Sequence, residues 1–168
     1  MSTRRSGGEA LCCAAQKGER VKKVILSNHV LLPEIIRLLN EGESITMKVK
    51  GNSMLPFITD RNSVLLREVD VSKLKKGDIV LATTNKAQYV LHRITAIKNG
   101  YIILMGDGNL YGRETCTLEE IVGIAVLVIK GKKKTDCTSL TERWKAWVWY
   151  ALLPWRRYLL AIYKRIKK

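Results

Sequence analysis

The chain has 168 residues, with 30 Lys plus Arg against 15 Asp plus Glu and a net charge of +15. One domain with an appended segment fits this length. A hydrophobic share of 46% excludes wholesale disorder, and four Cys are too few for a disulfide scaffold in a chain this long.

Residues 1–23 read as a disordered lead-in. Their apolar run, Ala10–Ala15, is shorter than the ~7–15 residues of a signal-peptide core, and charge follows at once. Cys12 and Cys13 are adjacent while Cys116 and Cys137 are isolated, so no C-x-x-C spacing suggests zinc or redox chemistry. No metal or organic cofactor is implied.

Residues 24–129 read as a β domain entered through a short helix. Apolar spacing predicts that helix over 31–40, with Ser27 or Asn28 as cap and Pro33 in the first turn or at a kink. His29 reads as an ordinary helix-start residue. From residue 44 the texture changes to short β-type runs: 44–49, 63–69, 78–84, 88–97, 101–105 and 121–129. Asn99-Gly100 between two apolar runs is a hairpin signal. Strands with no long helix between them imply a mostly β, antiparallel domain.

Residues 130–137 read as a basic linker, and 138–168 as an amphipathic basic helical tail. Residues 130–168 hold 12 basic and 2 acidic side chains, and all four Trp fall in 138–168. Trp144, Trp147, Val148, Ala151, Leu152, Trp155, Leu159 and Ile162 follow helical spacing. Arg156 and Arg157 would cost about 2.5–3.5 kcal/mol each at a bilayer centre, which disfavours a span. The expectation is peripheral membrane contact through Trp144–Lys168, with packing on the β domain or on a partner protein as the blander reading. The localisation expected is membrane-associated and otherwise cytoplasmic. Nucleic acid is disfavoured as a partner, because no nucleic-acid-binding fold accompanies the charge.

One serine stands in a special setting, Gly51-Asn52-Ser53-Met54-Leu55-Pro56, just after a strand. Such a turn can expose the hydroxyl beside backbone N–H groups able to hold an oxyanion. A serine hydroxyl is a weak nucleophile and needs a base within reach. His92 lies in the middle of the longest run, and an imidazole, with an unperturbed pKa of about 6.5, can accept the hydroxyl proton near neutral pH without special tuning. By spacing alone, His92 fits equally well as a hydrogen-bonded strand residue without chemistry.

Further boxes follow: Lys76-Gly77-Asp78-Ile79-Val80, Val90-Leu91-His92-Arg93-Ile94, Gly106-Asp107-Gly108-Asn109 and Val122-Gly123. With the Ser53 box, they resemble in content and order the signal peptidase I and LexA-like peptidase superfamily. That resemblance implies a signal-peptidase/LexA-like β fold with Ser53 as nucleophile and His92 as general base. His92 stands where bacterial signal peptidases usually place a Lys, so the chain looks like the Ser-His branch typical of endoplasmic-reticulum and archaeal-type enzymes. The resemblance makes Asp107 the candidate third catalytic member. Glu114 is the other acid in range, a Ser-His dyad is the remaining arrangement, and Asp107 also suits a turn bonded to its own backbone. Arg93 reads as an ion-pair partner.

Neither the family's usual membrane anchor nor a DNA-binding bundle is expected ahead of Ser53. The implied function is a serine endopeptidase that cleaves a leader or membrane-proximal segment of a peptide or protein substrate through an acyl-enzyme. The alternatives are a catalytically degenerate peptide-binding or membrane-adaptor module and a LexA-like self-cleaving regulator. For the last, Ala14, Ala15 and Gly18 offer small residues upstream.

Overall fold

In a computed structural model, residues 21–23, 28–84 and 88–166 are described here. Strand β1 (Val21–Lys23) and helix α1 (Asn28–Asn40) precede β2 (Ser44–Lys48) and β3 (Ser63–Arg67). A short 3-10 turn (Val71–Lys73) leads to β4 (Ile79–Thr83), β5 (Tyr89–Lys98), β6 (Tyr101–Met105), β7 (Glu114–Thr117), β8 (Ile121–Lys130) and β9 (Lys133–Asp136). Helices α2 (Leu140–Ala151) and α3 (Arg156–Ile166) follow.

The sheet is mostly antiparallel and runs β1-β2-β3-β8-β4-β5-β6-β7, with β9 also on β8. Only the β1–β2 pairing is parallel among those described. Strand β8 is long enough to serve several neighbours. β3 pairs with it from Ile124 to Ile129, β4 takes Ile121 to Ile124, and β9 takes Leu127 to Lys130.

Strand β4 shows why the sheet needs cover on both faces. Its sequence Ile-Val-Leu-Ala-Thr is apolar at successive positions, and the pleat sends alternate side chains to opposite sides. Ile79 and Leu81 enter one core with Ile35, Leu38 and Leu39 of α1 and with Ile45, Met54, Val64 and Leu66. Val80 and Ala82 enter another with Ile94, Ile102, Leu104 and Cys116. The β5–β6 hairpin turns at Asn99 and Gly100, whose φ values of 50° and 79° are the left-handed pair that a two-residue hairpin turn demands.

Three expectations are corrected. Residues 21–23 belong to the sheet: Val21, Lys22 and Lys23 pair with Ser44, Ile45 and Thr46. The rest of the expected lead-in, 1–20, lies outside the described residues. Segment 130–137 is not a linker. It turns at Gly131 and returns as β9, because an extended, charged sequence can pair at a sheet edge while its side chains stay in water. The tail is two helices rather than one: Pro154 lacks the N–H that would continue α2, and α3 starts at Arg156. The α1 helix also begins earlier than expected and carries Pro33 inside it. Strand β7, Glu-Thr-Cys-Thr, is a further element that apolar alternation did not mark.

Leu39 is fully buried where α1 packs on the sheet. Leu39→Ala should lower the unfolding free energy by about 2–5 kcal/mol, seen as a lower denaturant midpoint with unchanged slope by circular dichroism.

Candidate active site

The turn carrying Ser53 fills residues 51–58 between β2 and β3. It is pinned from within. Leu55 N–H donates to the Asn52 carbonyl at 3.2 Å, and Ile58 N–H to that of Met54 at 2.9 Å. Met54 and Ile58, 2% and 0% exposed, root the turn in the α1-side core, while Ser53 itself is half-buried. The Leu55–Pro56 peptide is cis.

The Gly106-Asp107-Gly108-Asn109 loop after β6 lies directly against this turn. Gly108 N–H donates to the Ser53 carbonyl at 2.7 Å. Two glycines make the approach possible. A Cβ on Gly106 would stand 2.4 Å from the Ser53 carbonyl oxygen, and one on Gly108 would stand 2.5 Å from that of Asn52. The same Gly106 position is 3.0 Å from His92 Nε2. The Ser53 turn and the outer nitrogen of His92 therefore meet at one glycine.

His92 sits opposite Val80 in β5 and is 4% exposed. Its Nδ1 lies 2.8 Å from Glu114 Oε2. Glu114 opens β7 and pairs with Leu104 of β6, so the sheet carries this carboxylate to the imidazole across an intervening strand. With Nδ1–H donating to the carboxylate, Nε2 is left with a free lone pair on the side of Ser53.

Asp107 does something else. Both of its carboxylate oxygens accept from Arg93: Nε to Oδ1 at 2.9 Å and Nη2 to Oδ2 at 2.7 Å. Of the arrangements the sequence leaves open, with Asp107 as the candidate third member and Glu114 as the other acid, the structure puts Glu114 at His92 Nδ1 and Asp107 on Arg93. The physical reason is the β pleat. Adjacent residues of β5 point to opposite faces, so His92 and Arg93 collect different acids. Arg93 is buried, at 8% exposure. Burial works against its charge, and the Asp107 carboxylate more than makes up for this, so the guanidinium is held above its ordinary range. A third bond, from Arg93 Nη1 to the Gly77 carbonyl at 2.8 Å, ties in the Lys76-Gly77-Asp78 box.

Helices α2 and α3 close the back of the loop. The Trp149 indole N–H donates to the Asp107 carbonyl at 2.8 Å, and Arg156 Nη1 to the Asn109 carbonyl at 3.0 Å. Arg143 pairs with Asp78 at 2.6 Å and donates to the Lys76 carbonyl. Trp149 also meets Phe57, within the Ser53 turn, edge to face. Sequence reasoning missed Trp149 and Arg156 as supports of the site. Their interruption of the tail's surface pattern is the signal that could have found them.

The other groups near the site do not compete for its chemistry. Cys116 and Cys137 are free thiols, and burial pushes both up to about 11, so they stay protonated at neutral pH. Among the described residues, no group of three or more His, Cys, Asp or Glu could hold a metal ion.

A family model described as Peptidase S24-like matches residues 11–128 of this chain, a stretch that includes every residue of the Ser53, His92, Asp107 and Glu114 cluster. No curated protein matches the sequence.

The two acids should separate in their effect on stability. Asp107→Asn leaves Arg93 buried without its charge partner and should cost about 3–5 kcal/mol of unfolding free energy. Glu114→Gln keeps an acceptor for the imidazole at a position whose side chain is 30% exposed, and should cost no more than about 1 kcal/mol. Urea unfolding of the two variants beside the parent chain reads the difference.

Proposed function

Because the chain belongs to the Peptidase S24-like family, we propose that it is a serine-type endopeptidase with Ser53 as nucleophile, His92 as general base and Glu114 as the acid that orients the imidazole. The observation that carries this reading is the His92 ring. One nitrogen is held at 2.8 Å by Glu114, and the other faces the glycine against which the Ser53 turn packs. Asp107, taken up by Arg93, is read as a positioning residue of the loop rather than as the third catalytic member.

The chemistry follows from those places. His92 Nε2 takes the proton from the Ser53 hydroxyl as Oγ attacks the carbonyl carbon of a substrate peptide bond. The imidazolium that results is stabilised by the Glu114 carboxylate at its other nitrogen. Collapse of the tetrahedral intermediate breaks the C–N bond, and His92 hands the proton to the leaving amine. A water molecule, deprotonated by the same nitrogen, then hydrolyses the Ser53 ester and frees the enzyme. Backbone N–H groups of the Ser53 turn are suited to the oxyanion.

A histidine ahead of Arg93 supports assignment to the Ser-His, signal-peptidase-like branch. The substrate proposed is a leader or membrane-proximal segment of another protein.

The test is labelling by a peptidyl phosphonate, with intact-mass readout, of the parent chain, Ser53→Ala, His92→Ala and Glu114→Gln. Labelling of the parent at Ser53 and loss of labelling in the Ser53 and His92 variants is expected. Glu114→Gln, which keeps the base but loses the carboxylate that orients it, should be slowed by up to about 10⁴-fold. A folded parent chain that takes no label from a matched probe, or a Ser53→Ala variant that labels as well as the parent, would overturn the assignment. The same mass spectra test self-cleavage: a shortened parent beside a full-length Ser53→Ala would move the substrate from another protein to the chain itself.

A further inference from the structure

Helices α2 and α3 are amphipathic with the ordinary order reversed. A helix packed on its own domain normally hides its apolar stripe and shows polar groups to water. Here α2 turns Arg143, Ala146 and Trp149 toward the β domain: Arg143 donates to Asp78 and to the Lys76 carbonyl, Trp149 donates to the Asp107 carbonyl, and Ala146 is buried. Leu140, Trp144 and Trp147, at spacing i, i+4 and i+7, form a stripe beside these anchors and are 84%, 66% and 63% exposed, with Trp147 also edging a cavity shared with Gly77, Ile94 and Thr95.

The same arrangement continues beyond Pro154. In α3 the buried residues are Arg156 and Leu160, while Tyr158, Leu159, Ile162 and Ile166 face outward together. Trp155, between the two helices, is exposed as well. Packing on the β domain, the blander of the sequence expectations, thus uses the polar side of the helices and leaves a large apolar face uncovered. A patch of this composition on a single chain marks a contact surface.

We propose that this face lies on the surface of an anionic lipid bilayer. The residue types fit that occupant: Trp144, Trp147, Trp155 and Tyr158 combine an apolar body with a polar edge, as the headgroup boundary requires. The charge fits it too. No Asp or Glu follows Glu142 in the sequence, whereas exposed Arg157, Lys164 and Arg165 border the α3 stripe. A cavity of about 560 Å³ at the α2–α3 corner is lined by Tyr111, Arg113, Arg157 and Tyr158, among others, with two guanidinium groups and no acid in its walls. That lining suits a headgroup phosphate. The mode is peripheral, since no helix among the described residues is long and apolar enough to cross a membrane.

The docking stands independently of catalysis, but its consequence rests on the peptidase reading. Trp149 and Arg156 hold the carbonyls of Asp107 and Asn109 from the inner side of these helices. A bilayer under the outer side would set the height of the Ser53–His92 site above the membrane, within reach of membrane-proximal peptide segments.

The experiment is flotation of the full chain with vesicles of phosphatidylcholine plus phosphatidylglycerol, and with vesicles of phosphatidylcholine alone. Circular dichroism checks that each variant is folded. The parent chain should float with the anionic vesicles at least ~10-fold more than with the neutral ones, and salt should weaken this preference. Trp144→Ser combined with Ile162→Ser should reduce binding at least ~10-fold. Lys164→Glu with Arg165→Glu, which leaves the apolar stripe intact, should remove the preference for anionic lipid. Ser53→Ala should float like the parent, so failure of the peptidase reading would leave this result unchanged. The proposal is overturned if the folded parent does not float, if the Trp144/Ile162 variant floats equally well, or if those substitutions instead dissolve a dimer seen by sedimentation.

Discussion

The buried Arg93–Asp107 pair is the contact on which the rest of the site depends. Two nearly dry charges are expensive to take from water, and the cost is offset only when geometry is good and the remaining donors are used. Both conditions are met. The guanidinium is bidentate to the carboxylate, and its third nitrogen bonds the Gly77 carbonyl. The pair therefore joins the end of β6, the middle of β5 and the turn before β4. It also fixes where the Asp107 backbone stands: Trp149 bonds its carbonyl, and the glycines on either side of it are the ledge against which the Ser53 turn rests.

Strand β5 separates two tasks that a reading by residue type cannot separate. His92 and Arg93 are neighbours, and each is matched to an acid, but the pleat places them on opposite faces of the sheet. On one face the Glu114 carboxylate is half open to water and near a histidine, an arrangement suited to holding a proton-transfer group in one orientation. On the other face Asp107 is buried in its ion pair with Arg93, and Trp149 of α2 bonds its carbonyl, an arrangement that holds the loop in place. The proposed triad and the structural ion pair are thus two halves of one strand.

The parts of the fold legible in the sequence were those written in local patterns. The alternating run of β2, the apolar run of β4 and the Asn99-Gly100 turn announce themselves because each is determined by residues next to one another. Strands β7 and β9 were illegible for the opposite reason. Glu-Thr-Cys-Thr and Lys-Lys-Thr-Asp carry little apolar signal, and they are strands because β6 and β8 offer them an edge. The choice between Asp107 and Glu114 was hidden in the same way. Both acids follow β6 closely, and only the return of the chain along β6 decides which of them reaches His92. The tail misled in a different manner. Its helical spacing marks a stripe that leaves out Trp149 and Arg156 but does not say where these two point, and the structure turns them inward as hydrogen-bond donors to the loop.

The bonds that build the site span long stretches of sequence. His92 and Glu114 are 22 residues apart, Trp149 and Asp107 are 42 apart, Arg156 and Asn109 are 47 apart, and Arg143 and Asp78 are 65 apart. Closing such loops carries an entropic cost that local structure does not, and these contacts are rewarded only after the strands between them have paired. A newly made or partly unfolded chain therefore contains Ser53, His92 and Glu114 without containing a site. For a molecule proposed to cut polypeptides, this is a safeguard that needs no separate inhibitory segment. The proposed site exists only in the folded chain, and loss of the long-range pairings that bring its parts together disperses it.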